Sequence, residues 1–148
     1  MPSPDDHITQ WRHNRAFLTE IRPDYRDWIV TAAFYTALHA VDTLLAFDKV
    51  TVTNHESRNR TLARVNRYDK IYDRFDPLYK LARTIRYLAD AAQWVPLDRI
   101  QPQIIERHLY PIERSVQKLI GRDLALGPLA IQTITATDVL TPDTARRS

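Results

Sequence analysis

The chain has 148 residues, 44% of them apolar, with no cysteine, two glycines and a net charge of +3. That length suits one domain with a substantial core, and the missing thiols exclude disulfides, zinc–thiolate centres, iron–sulfur clusters and a cysteine nucleophile. With only Gly121 and Gly127 to supply free turn geometry, the composition favours helices over sheet.

Helical spacing predicts five segments. The first runs from about Asp6 to Ile21, with Asp5 or Asp6 as N-cap and an apolar stripe of Ile8, Trp11, Phe17-Leu18 and Ile21. Pro23 ends it, because proline disfavours helix in the residue before it. The second starts near Asp24, its N-cap candidate, and continues to about Phe47. Apolar positions nearly surround it, Trp28 included, as expected of the central element of a bundle. Asp48 to Thr53 is a connector, and Asn54 caps a third helix from His55 to about Asn66.

The fourth segment spans Tyr68 to Trp94, with Pro77 expected to kink or restart it and Pro96 to close it. The fifth extends from about Leu97 to Ile120, interrupted at Pro102 and Pro111 and capped by Gly121. The expected fold is all-α: an antiparallel up-and-down bundle of four main helices plus a short one, over residues 1–121. Residues 122–148 are apolar without helical period. They read as an extension docked on the bundle or on a neighbour, frayed from Asp143 onward.

No apolar run reaches the roughly 18 residues of a membrane span without an Asp, His or Arg. The start, Met1-Pro2-Ser3-Pro4-Asp5-Asp6, lacks the basic-then-apolar form of a signal peptide. A cytoplasmic protein that does not engage a membrane is the expectation.

Charge is unevenly spread. Residues 1–53 hold five basic and seven acidic side chains, or −2, whereas residues 54–87 hold nine basic and four acidic, or +5. Seven of those nine are arginines, whose planar fork suits phosphate or carboxylate. A polyanion contact and a solvated helix face both fit that run.

Within the apolar second helix, Tyr35, His39 and Asp42 fall at i, i+4 and i+7 on one face. Buried polar groups require partners. Later candidates are His55 and Arg58 at i, i+3 on the third helix, and Arg83, Arg86 and Tyr87 at i, i+3, i+4 on the fourth. If the second and fourth helices pack side by side, these groups converge and could position a phosphodiester. His39 or His55 would then move a proton, and Arg58, Arg83, Arg86, Tyr87, Tyr35 and Asp42 would bind substrate. The alternative is structural: Asp–Arg and His–Tyr pairs that satisfy each other and set helix register. His39 and Asp42 make only two metal ligands, so neither a metal nor another cofactor is expected.

Asn14 with Phe17, then Trp28, FYTALHAVDTLL (34–45), HESR (55–58) and YKLARTIRY (79–87), in this order and spacing, resemble a small branch of the prokaryotic HEPN-type helical domains over roughly residues 8–120. The resemblance implies an up-and-down bundle that often dimerises, associated with RNA cleavage in toxin–antitoxin and defence systems. Nuclease members typically carry an Arg followed four to six residues later by a His. None of His7, His13, His39, His55 or His108 has an Arg at that upstream distance.

The resulting expectation is a HEPN-like module binding RNA or nucleotides, as a homodimer and beside a nucleotidyltransferase-type partner. One alternative is a metal-independent endoribonuclease that assembles His and Arg from different helices. The other is a non-catalytic adaptor bundle.

Overall fold

A computed structural model describes residues 2–87 and 95–132. The described residues contain helices and no strand: α1 (Pro4–Leu18), α2 (Arg26–Phe47), α3 (His55–Arg64) and α4 (Asp69–Tyr87), with a 3₁₀ turn at Asn66–Tyr68. A fifth helix, α5, covers residues 97–120 in three joined pieces. Leu97–Arg99 and Tyr110–Ile120 are α-helical, and Ile100–Leu109 between them is π-helical.

Local chemistry explains the boundaries. α1 starts earlier than predicted because Ser3, not Asp5 or Asp6, is the N-cap. Its side chain accepts from the Asp6 amide, the Asp6 carboxylate accepts from the Ser3 amide, and Pro4 occupies a position that needs no N–H. Asp24 does not cap α2, which begins at Arg26 without a side-chain cap. Asn54 caps α3 as expected, through a reciprocal pair of bonds with Ser57.

Pro77 lies inside α4 without ending it. α5 also continues through its two prolines. Each lacks an N–H to bond back along the helix, and the intervening π turn widens the ladder to i→i−5 bonds such as Tyr110 N–H to the Ile105 carbonyl. Gly121, at φ +68°, takes the left-handed cap position that L side chains resist.

Contacts at the helix ends fix the topology. Arg67 and Tyr68, entering α4, bond Asp48 at the end of α2, while Arg86 near the end of α4 reaches Tyr35 early in α2. Arg67 also donates to the Leu119 carbonyl at the end of α5, and Arg122 just beyond α5 pairs with Asp5 in the first turn of α1. α1 and α4 therefore run one way and α2 and α5 the other, the up-and-down bundle that was predicted, with α3 packed against α4.

α2 lies at the centre, with fifteen buried residues. By length and composition alone it could span a membrane, which corrects the expectation that no segment qualifies. However, 83% of its most apolar window is buried inside the fold, as in the core helix of a globular domain. Trp28 and Phe17, both expected in the core, are instead 58% and 50% exposed. The α1–α2 face they occupy has no further helix over it among the described residues.

Beyond α5, Leu124, Leu129 and Ile131 are buried. Arg12 donates to the Leu124 carbonyl, the Tyr110 hydroxyl bonds the Leu129 backbone, and Gln101 bonds both Leu129 and Ile131. Residues 124–132 are therefore strapped across α1 and α5. The predicted fourth-helix end at Trp94 and the fraying from Asp143 lie outside the described residues.

Candidate functional site

The polar face of α2 meets partners from three other helices. Asp42 is buried, and Arg58 from the first turn of α3 grips it with both prongs, Nε to Oδ1 at 2.7 Å and a terminal nitrogen to Oδ2 at 3.0 Å. The other guanidinium nitrogen lies 3.3 Å from Nδ1 of His55. Arg58 can reach down because the Asn54 cap starts α3 beside the end of the connector.

His55 then sits in an aromatic nest. Its ring centre is 5.9 Å from that of the buried Phe34 and 5.5 Å from that of Tyr79, which is 5.7 Å from Phe34. Arg86 lies over the same region, donating to the Tyr35 hydroxyl at 3.3 Å. On the α1 side, Nδ1 of His7 and Nδ1 of His39 are 3.4 Å apart. A cleft of about 300 Å³ opens next to them, lined by Gln10, Asn14, Trp28, Tyr35 and His39 among others.

Electrostatics keep both central imidazoles neutral near pH 7. Burial is the main cause that holds His39 below the ordinary histidine value of 6.5, opposed by Asp42 and assisted by His7 and Arg58. Burial also lowers His55, and the guanidinium groups of Arg58 and Arg86 push it further down. A neutral imidazole beside a guanidinium is a proton acceptor facing an anion anchor.

Six of the eight predicted residues come together: Tyr35, His39, Asp42, His55, Arg58 and Arg86. Arg83 and Tyr87 do not join them. Both are exposed, Tyr87 at 80%, and Arg83 makes no hydrogen bond or ion pair among the described residues. The carboxylate partner is Arg58 rather than a residue of α4, so Asp42 and Arg58 neutralise each other and Arg86 is left without a counter-ion among the described residues.

The basic segment thins in the same way. Arg58, Arg60, Arg67 and Lys80 are in ion pairs, leaving Arg64, Lys70, Arg74, Arg83 and Arg86 with none among the described residues.

Two features escaped the sequence reading. His7 joins the cluster from α1. The available signal was the spacing of His7, Gln10, Asn14 and Phe17 at i, i+3, i+7 and i+10, a second stripe beside the Trp11 stripe. The other is a buried network in which Glu113 accepts from Trp11 at 2.7 Å and from Arg15 at 2.9 Å. Burial raises the Glu113 carboxyl, against the pull of Arg15 and Trp11. Its members are about a hundred residues apart, and no local pattern announces it.

No family model matches the chain, and no curated protein or solved structure matches it either.

Proposed function

We propose that this chain is a HEPN-like module that binds RNA or nucleotides on the face formed by α2, α3 and α4. The observation that carries this reading is Arg86, an exposed guanidinium with no counter-ion among the described residues, set beside neutral His55 and the Tyr79 ring. Arg86, with Arg83 one turn before it, supplies the positive charge for a phosphate, and Tyr79 and Tyr87 offer aromatic faces for a base. The resemblance adds the setting of a toxin–antitoxin or defence system and a homodimer. The exposed Phe17, Tyr25 and Trp28 around a groove of about 370 Å³ supply an apolar face for a second copy.

A second reading, metal-independent endoribonuclease, rests on His55. It is the imidazole between two guanidinium groups, whereas His39 faces His7. In that reading His55 takes the proton from the attacking 2′-hydroxyl and Arg86 steadies the charge that develops on the phosphate.

Thermal melting with and without short RNA, at low and high salt, tests both readings. RNA should raise the midpoint at low salt and lose that effect at high salt, and Arg86→Ala should reduce the salt slope of binding by about one phosphate contact. Intact RNA after incubation favours the binding module. Cut RNA that His55→Ala leaves whole favours the nuclease. An unshifted midpoint with uncut RNA at low salt excludes both and leaves the adaptor.

A further inference from the structure

We propose that His7, His39 and Asp42 form a site for a divalent transition metal of the zinc class, with its open side toward the cleft between α1 and α2. One ligand atom from each of the three residues lies within 4.8 Å of the others. The decisive spacing is between the two imidazoles, whose Nδ1 atoms face each other at 3.4 Å. That is at the long end for a hydrogen bond from one Nδ1–H to the other Nδ1. It matches the separation of about 3.3–3.4 Å that two imidazole nitrogens adopt when each is 2.0–2.1 Å from a tetrahedral zinc.

As a neutral pair, one Nδ1–H donates to the other Nδ1; a shared cation would instead take both nitrogens as ligands. Asp42 closes the set. The Arg58 fork occupies one lone pair on each carboxylate oxygen, and each oxygen keeps another. Arg58 thereby holds the carboxylate as an outer hydrogen-bond partner does in metal sites. His7 is anchored by the capped first turn of α1 and His39 by the middle of α2, so the helices themselves preorganise the pair.

Two imidazoles and one carboxylate favour zinc, cobalt or nickel over magnesium, which prefers an all-oxygen shell. With three protein donors a fourth position remains, and the cleft that His39 lines gives a small molecule or water access to it. The proposal stands apart from RNA binding, since His7 and the cleft belong to α1 and α2 and the RNA reading rests on Arg86.

Titration of the purified, metal-stripped chain with zinc tests it, alongside cobalt titration read by visible absorption. The chain has no thiol to compete, and His13 and His108 serve as internal controls. One saturable zinc should bind. Cobalt should give the intense bands of a tetrahedral site, and zinc should shift the His7 and His39 ring signals in NMR while leaving His13 and His108 in place.

His7→Gln should weaken zinc at least about tenfold, as loss of even an outer partner does, and magnesium should give no response. Absence of saturable zinc binding in the micromolar range would overturn the site. So would zinc binding that His7→Gln leaves unchanged, or ring shifts confined to the control histidines. The NMR readout needs no variant, so a misfolded substitution does not shelter the idea. Zinc binding without RNA binding, or the reverse, separates this proposal from the functional one.

Discussion

At the scale of single residues, the pair Asp42–Arg58 dominates. Both side chains are about 10% exposed, so each removes the other's desolvation penalty more than it adds net stability. Deleting one partner is therefore costly. Asp42→Ala should destabilise the fold by about 3–5 kcal/mol, because the Arg58 charge stays buried without an acceptor. Asp42→Leu combined with Arg58→Met should recover most of that loss, since no unpaired charge then remains at that position. Urea unfolding of the two variants beside the unaltered chain measures this directly, and a loss well under 1 kcal/mol in the single variant would mean that water reaches the pair.

Among the elements, α3 is short and mostly polar, with only Arg58 and Leu62 buried. A ten-residue helix of this kind is marginal by itself and depends on its cap and its anchors. The Asn54 side chain accepts from the Ser57 amide at 2.8 Å, and the Ser57 hydroxyl lies 3.2 Å from the Asn54 amide that donates to it. Asn54→Ala should cost about 1 kcal/mol in a denaturant melt. It should also raise hydrogen exchange at the start of α3 more than in α2, because the cap holds the turn that carries His55 and Arg58. Uniform exchange across both helices would show that α3 is held by its packing instead. α5 shows the opposite balance, with two prolines tolerated because Ile100, Ile104, Ile105, Leu109 and Ile112 keep it against the core.

For the whole molecule, buried titratable groups couple stability to pH. His39, His55 and His108 are all held below 6.5, burial being the first cause for each. The unfolded chain takes up these protons near 6.5 while the folded chain resists them, so acid favours unfolding. Their contribution is fully present above 6.5 and is lost as pH falls through the lower folded values. Glu113 has the opposite sign. Its raised folded value means that stability declines as pH rises from 4.5 through that value, so the two effects oppose each other in mild acid. Thermal midpoints between about pH 5 and 8 should be level at the upper end and fall below the histidine value, with His55→Phe flattening part of the slope. An unchanged acid slope in His55→Phe would contradict the neutral assignment of His55.

Much of this protein is set by local order along the chain. The apolar periodicity of residues 26–47 made α2 a core helix, Asn54 marked the start of α3 to the residue, and Gly121 marked the end of α5. Each rests on contacts within a few residues. The spacing of Tyr35, His39 and Asp42 likewise placed them on one face, because helix geometry depends on nothing further away.

Which partner each would meet was beyond that range. Arg58 rather than Arg83 or Arg86 takes Asp42, His7 rather than a residue of α4 faces His39, and Glu113 finds Trp11 and Arg15 across about a hundred residues. Two arginines on neighbouring helices present the same chemistry in sequence. Only the tertiary placement of α3 sets which guanidinium arrives within hydrogen-bond distance of Asp42, and so which one has no counter-ion among the described residues.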